Sequence, residues 1–268
     1  MYIELDLGTR KTSIFYREFG VGTPMIFLHG GWGYDMYAFD NQIRDFHQNL
    51  RILIPDRSGY GRSSRGAVFP RGFHRRAARE TIAFLDALEI ERAVLWGHSD
   101  GAVTAALIGI ESPDRVHGIV MEAAHYDRRK PGSKRFFETA VTNPDKFGEK
   151  AVSILAREHG EDYWRKLMEN HGQAWLDIHY GWQDPEQDLY GGRLAELSVP
   201  SILIHGSEDP RTEPGELDAI QALLPQVSIH VIDGGGHSPH SEHRVHGESN
   251  RIVGEFLAEL KGISGTES

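Results

Sequence analysis

The stretch that decides the fold runs from Ala93 to Ile110 and reads AVLWGHSDGAVTAALIGI. Ala93 to Trp96 is an apolar run long enough for a buried strand, and small residues recur with helical spacing from Ala102. Between them stands Gly97-His98-Ser99-Asp100-Gly101. A chain passing from strand to helix in so few residues holds the middle one in a strained backbone. Flanking glycines let neighbouring segments approach where a Cβ would block them. Ser99 is therefore expected at the tip of a sharp turn at the carboxyl end of a sheet. There it faces a helix N-terminus whose free N–H groups steady developing negative charge. The GxSxG spacing alone proves little in a chain with 30 glycines, and the rival reading is a tight turn with an idle serine. What separates the two is whether a base, an acid and an anion site stand where a triad needs them.

Outward from this elbow, the flanking segments read as further strands and helices. Tyr2 to Asp6 and Thr12 to Glu18 alternate polar and apolar residues and form an edge hairpin joined at Leu7-Gly8-Thr9. MIFLHGGWG, from Met25, is an apolar strand running into a glycine-rich loop; RILIP, Arg51 to Pro55, is the next strand and leads into DRSGYGRSS. Ala77 to Leu88 reads as a helix with Ile82, Leu85 and Leu88 on one face. Pro113 ends the helix after the elbow, and Val116 to Glu122 supplies another strand. Strand, helix, strand at these intervals is the pattern of parallel βαβ units.

From about His125 to Leu197 the rhythm breaks. Helical segments there carry Phe136, Phe137, Trp164, Trp175, Tyr180, Trp182 and Tyr190, and a stretch of this length reads as a functional insertion whose aromatics fill a small core of their own. The sheet resumes at Pro200 to Gly206. A helix over Leu217 to Leu224, a strand over Val227 to Ile232, a final helix over Asn250 to Lys261 and a frayed tail from Ile263 follow. The expected organisation is a core of residues 1–124 and 198–268 with a helical insertion over 125–197.

Composition bounds the function. At 268 residues with 39% hydrophobic content, the chain suits one large domain, or one domain with an insertion. A net charge of −10 disfavours a nucleic-acid partner. The basic stretches Arg71 to Arg79 and Arg128 to Arg135 read as solvated faces or loops. No cysteine is present, so a disulfide framework and a thiol nucleophile are excluded, which fits a reducing cytoplasm. The N-terminus lacks the pattern of a signal peptide, and no run has the length of a membrane span. A small-molecule substrate is expected, and a homodimer is compatible with the sequence.

Reactive groups in an open α/β sheet gather on loops after the carboxyl ends of strands. In His29-Gly30-Gly31-Trp32-Gly33 the missing side chains expose backbone amides. Gly31 or Trp32, together with the amide of Asp100, would make a two-donor oxyanion hole, worth on the order of 3 kcal/mol per donor. A phosphate loop is disfavoured because the lysine of a Walker motif is missing. Asp209 follows the strand ending at Gly206, and His237 follows the next strand in Gly234-Gly235-Gly236-His237. The order Ser, Asp, His is the one an elbow serine uses when it recruits partners from the last two strands. His237 would take the Ser99 proton and return it to the leaving group, while Asp209 holds the imidazole tautomer. Glu122 and Glu208 are rival acids. His240, His243 and His246 recur every third residue after His237 and invite a metal reading, but no Cys or carboxylate set completes a site. Asp100 beside the nucleophile either turns to a polar neighbour or solvent, or selects a cationic or hydroxylated substrate.

With these residues in place, the chain resembles the α/β-hydrolase superfamily, and within it the esterase-like serine hydrolases that carry a helical cap. The resemblance runs from Thr12 to Lys261 and rests on His29 to Gly33, on Asp56-Arg57-Ser58-Gly59-Tyr60-Gly61-Arg62-Ser63, on the Ser99 elbow, on Asp209 in GSEDP and on His237 in GGGHSPH. It implies an α/β-hydrolase fold, a mostly parallel doubly wound sheet with an inserted helical cap. By the same resemblance Ser99, Asp209 and His237 form the triad, and DRSGYGRS shapes the site wall. Dehalogenases and most epoxide hydrolases carry Asp at the nucleophile, so Ser99 argues against both. The expected reaction is two-step hydrolysis of a small carboxylic ester through an acyl-enzyme, with no metal or organic cofactor. The same triad would also serve an amide, lactone, thioester or carbon–carbon bond; a ligand-binding receptor of this fold is the non-enzymatic alternative.

Overall fold

The computed structural model describes all residues except 9, 66–68, 182–187 and 265–268, and the side chains of 261–264. Thr9 of the first turn, the aromatic Trp182 and the tail from 265 onwards therefore lie outside the described residues.

Strands that read as continuous apolar runs need cover on both faces, and the central strands have it. The sheet comprises β1 (Tyr2–Asp6), β2 (Lys11–Phe19), β3 (Thr23–Leu28), β4 (Leu50–Pro55), β5 (Ala93–His98), β6 (Val116–Glu122), β7 (Ser201–Gly206) and β8 (Ser228–Ile232). Every residue of β5 and β7 is buried. The strand order is β1-β2-β4-β3-β5-β6-β7-β8, with β1–β2 and β2–β4 antiparallel and the remaining pairs parallel. Winding goes from β3 outward to β4, then returns to β5 on the other side of β3. Ligand crevices open where the winding reverses, and here the reversal separates the loop after β3 from the turn after β5.

Helices α1 (Asp40–Phe46), α2 (Phe73–Ala87), α3 (Asp100–Glu111), α7 (Glu216–Leu223) and α8 (His246–Ser264) flank the sheet. On one face Phe84 and Leu85 of α2 and the small residues Ala102, Ala105 and Ala106 of α3 pack on Leu28 and Leu95. On the other, Ile252, Val253 and Phe256 of α8 pack on Phe27, Trp96 and Ile204. Three starts fall before the expected ones. α2 begins at Phe73 because Phe73 and His74 face inward, a burial that local periodicity does not register. α7 begins at Glu216, whose carboxylate accepts the backbone N–H groups of Tyr126 and Asp127. α8 takes in His246 to Ser249 as its first turn.

Between β6 and β7 lie α4 (Lys134–Thr142), α5 (Glu149–His159) and α6 (Trp164–Tyr180), and the described residues there hold no strand beyond an isolated bridge, Asp127 to Asp188. The aromatics of this segment divide. Phe137, Trp164 and Trp175 enter a local core with Leu155, Leu167 and Met168, and the Phe137 and Trp175 rings stack at 5.0 Å with planes 6° apart. Tyr190 joins the main core, and Tyr180 is 60% exposed. The stretch Arg128 to Arg135 is not a solvated face throughout. Arg128 and Lys130 are buried, and Lys130 Nζ donates to Glu216 at 2.7 Å. The stretch Arg71 to Arg79 contains the buried His74, whose Nε2–H donates to Asp100 Oδ1 at 3.0 Å. Among the described residues no helix is long and apolar enough to cross a membrane.

Candidate active site

The elbow forms because its glycines leave no room for a side chain. A Cβ on Gly97 would lie 2.2 Å from the Gly101 carbonyl oxygen, and one on Gly101 would lie 1.9 Å from that of Leu28. The residue between them takes the left-handed strain. Ser99 has φ 55° and ψ −118°, a conformation costing about 1–3 kcal/mol that the surrounding packing must over-determine. Its N–H donates to Glu122 O at 2.9 Å, and its carbonyl accepts Ala102 N–H at 2.8 Å, so the turn is anchored on β6 and on α3.

Asp209 and His237 come together as the sequence suggests. His237 Nδ1 lies 2.9 and 3.0 Å from the two Asp209 oxygens, which leaves Nε2 as the free atom of the ring. Burial alone would raise the Asp209 pKa, but the hydrogen bond and charge of His237, with the Arg211 N–H, bring it down to about 2. His98, the residue before Ser99, donates Nε2–H to the His237 carbonyl at 2.9 Å and so holds the His237 backbone from behind. Burial pushes His98 down to about 3, which keeps it neutral.

The Ser99 hydroxyl makes a different contact from the expected one. Its Oγ shares a 3.2 Å hydrogen bond with Nε2 of His125, which stands three residues beyond the end of β6. The rings of His125 and His237 lie nearly parallel, 11° apart, with centroids 5.7 Å from each other, and both face the pocket that holds Ser99. The two histidines differ in support. His125 Nδ1 has no hydrogen-bond partner among the described residues, and burial with the nearby Lys130 charge pushes its pKa well below the ordinary value. Position 125 carries no motif; its only signal is that it follows a strand end.

The loop after β3 is held from two sides. Arg57, from the DRSGYGRS stretch, donates to Gly30 O at 2.8 Å, and its own N–H is accepted by His29 Nε2 at 3.1 Å. From the inserted segment, Glu158 accepts the N–H groups of Tyr34 and Asp35 at 2.7 and 3.0 Å, and His159 Nε2–H donates to Trp32 O at 3.1 Å. Gly31, Trp32 and Asp100 all line the pocket with Ser99. Among the described residues, none of their N–H groups donates in a loop, turn or side-chain hydrogen bond. Free donors of this kind at the start of α3 and across from it are what an oxyanion requires.

Asp100 turns to protein, not to solvent. Oδ2 accepts from His171 Nε2 at 2.7 Å, and Oδ1 accepts from His74 Nε2 at 3.0 Å and from Trp175 Nε1 at 3.2 Å. Burial would raise this carboxyl, but His171 and His74 outweigh it and hold the pKa well below the carboxylate range. His171 and Trp175 sit one turn apart on α6, so Asp100 ties the elbow to the inserted helices.

The rival acids go elsewhere. Glu122 is fully buried, accepting Trp96 Nε1–H at 2.8 Å and both the N–H and the Nδ1–H of His240, at 3.0 and 2.8 Å. Burial pushes Glu122 up, but the His240 charge and hydrogen bonds bring it to about 2. Glu208 is exposed. His237 and His240 thus serve different carboxylates and His243 is exposed; among the described residues no group of three ligands could hold a metal ion.

A doubly wound sheet with a strained serine at its winding reversal is the architecture of α/β hydrolases. The sequence model of the Alpha/beta hydrolase family matches residues 25–247, and the chain belongs to that family. It is 27% identical over 248 residues to Serine hydrolase BPHL of Mus musculus, a match covering 91% of this chain and 82% of that protein. It is also 24% identical over 230 residues to Esterase YbfF of Escherichia coli (strain K12), covering 82% and 88%. Among solved structures, a thermophilic esterase from Thermogutta terrifontis shares the fold with a TM-score of 0.73 at 20% identity, covering 97% of this chain and 99% of that one.

Proposed function

We propose that the protein is a serine hydrolase that cleaves small carboxylic esters through an acyl-enzyme, with Ser99 as nucleophile, His237 as base and Asp209 as the acid that orients it. The observation that carries this reading is the grip of both Asp209 oxygens on His237 Nδ1, beside a serine held in the left-handed region. Two imidazoles near one hydroxyl compete for its proton. Only His237 has a carboxylate to stabilise the imidazolium, whereas a charged His125 would be buried beside Lys130 without a partner. His125 therefore holds the hydroxyl at rest, and a turn of the Ser99 side chain hands it to His237.

In the first step Ser99 Oγ bonds to the ester carbonyl carbon as its proton passes to His237 Nε2. The carbonyl oxygen becomes an oxyanion facing the N–H of Asp100 and that of Gly31 or Trp32. The intermediate expels the alcohol, which takes the proton from His237 and leaves Ser99 acylated. Water then gives a proton to His237 and bonds to the acyl carbon; return of that proton to Ser99 Oγ releases the acid. Residues 125–197 act as a cap, closing the pocket with Phe137 and Trp175 and bracing the oxyanion loop through Glu158 and His159. The cysteine-free composition supports a cytoplasmic setting.

The names of the serine hydrolase and esterase relatives support this chemistry. Fluorophosphonate labelling with peptide mapping tests it, with modification expected at Ser99. Ester hydrolysis that survives Ser99→Ala would defeat the assignment.

A further inference from the structure

Arg211 lines the same pocket as Ser99 and His237. Its backbone is pinned: the N–H donates to Asp209 Oδ1 at 2.8 Å, and the carbonyl accepts from Lys130 Nζ at 2.5 Å. The guanidinium carbon lies 3.4 Å from the centroid of the Phe136 ring, and that ring is stacked in turn on Trp32 at 5.4 Å with planes 9° apart. A guanidinium laid on an aromatic face keeps its N–H edge directed outward in the ring plane, where it matches a carboxylate with two parallel hydrogen bonds.

That edge is unspent. Among the described residues no carboxylate lies within 4.0 Å of the Arg211 guanidinium nitrogens, and its guanidinium N–H groups donate to no protein acceptor. The nearby Asp209 carboxylate is already committed to His237 and to the Arg211 backbone. Scarcity of acids does not explain the lack of a partner, since the chain carries 39 Asp and Glu against 29 Lys and Arg. A half-buried cation is costly to hold without a counter-charge. Packing on Phe136 alone would be served by an uncharged side chain.

We infer that Arg211 receives a carboxylate of the substrate, so that the preferred substrates are small esters carrying a free carboxylate on the acyl or the alcohol side. This deepens the ester-hydrolase reading and rests on it for the reaction, though not for the binding.

Two measurements separate the inference from that reading. The first compares kcat/KM, followed by base uptake, for monoethyl glutarate and monoethyl adipate against ethyl pentanoate and ethyl hexanoate. It also compares 4-acetoxybutanoate against butyl acetate. At least one carboxylate ester is expected to exceed its neutral counterpart by roughly tenfold or more. The ratio should collapse at least tenfold in Arg211→Met and less in Arg211→Lys, which keeps the charge without the fork. The second measures glutarate binding to Ser99→Ala protein by calorimetry, with and without Arg211→Met, and affinity should fall at least tenfold when Arg211 is replaced. If no ester is cleaved but glutarate binding depends on Arg211, the ester-hydrolase reading falls and the anion site stands. If neutral esters are cleaved and neither selectivity nor glutarate binding depends on Arg211, the anion site is overturned and the hydrolase reading stands. Failure of Arg211→Met to fold leaves the wild-type preference and the Arg211→Lys comparison to decide, and a wild type indifferent to the carboxylate overturns the inference by itself.

Discussion

Ser99 and His125 meet at 3.2 Å through Oγ and Nε2, although nothing in the pattern of the sequence sets position 125 apart as part of the site. Both His125 and His237 line the pocket of that hydroxyl, and replacing each ranks them. His237→Ala or Asp209→Asn should lower kcat by roughly 10⁴. His125→Phe should lower it by less than roughly 10², below the range of general-base catalysis. Steady-state rates on a short p-nitrophenyl ester check this; the reverse ranking would make His125 the base.

Acid should destabilise the fold through its histidines. His98 and His159 are pushed by burial to about 3 and about 4, and His29 and His125 well below the ordinary value. In the unfolded chain each takes a proton as pH drops through about 6.5, while the folded chain does not. The stability they contribute is thus present above about pH 6.5 and is lost as pH falls toward the folded values. The sensitivity reaches about 1.4 kcal/mol per pH unit for each histidine. Asp209 and Glu122, both near 2, add their own loss only below about pH 4. Glu158, pushed up to about 8 by burial, gains a proton over the same range in the folded chain and offsets part of the histidine loss, so urea unfolding at pH 7.5 and 5.5 should show a drop of about 3 kcal/mol. His159→Gln, which can keep both the Trp32 and Gly61 contacts, should flatten the dependence. A pH-independent midpoint would contradict it.

Asp100 is saturated by protein donors, so its role is to hold the inserted helices against the elbow. Asp100→Asn should cost about 3 kcal/mol in urea unfolding, because the imidazoles of His74 and His171 lose their anion. The wild type should hydrolyse an amino-acid ester and its deaminated analogue at rates within roughly threefold. A large preference for the amino ester, lost in Asp100→Asn, would mean that the carboxylate turns to substrate instead.

The elbow tolerates no Cβ at its second glycine. Gly101→Ala should cost more than about 4 kcal/mol or prevent folding, since the Leu28 carbonyl it would strike is held in β3 and cannot move aside. Gly247→Ala, where a Cβ meets nothing within 4 Å, is the control and should change the unfolding midpoint little. Equal melting temperatures for the two variants would argue against the close approach.

What the sequence determined by itself was whatever depends on near neighbours. An apolar run, two glycines around a serine and a return to helical spacing specify a strained turn, because backbone sterics act over a few residues. The order Ser99, Asp209, His237 follows from strand ends, which hydrophobic patterning marks. Tertiary structure alone decided which histidine serves which acid. His74, Asp100 and His171 come from three separate elements, as do Ser99, His125 and His237, and a histidine in the sequence carries no mark of the carboxylate it will meet. The burial of Arg128 and Lys130, within a stretch that reads as solvated, likewise depends on the packing around Glu216 and Ile178. Such pairings are set by how the sheet winds and where the inserted helices settle, which is a property of the whole chain.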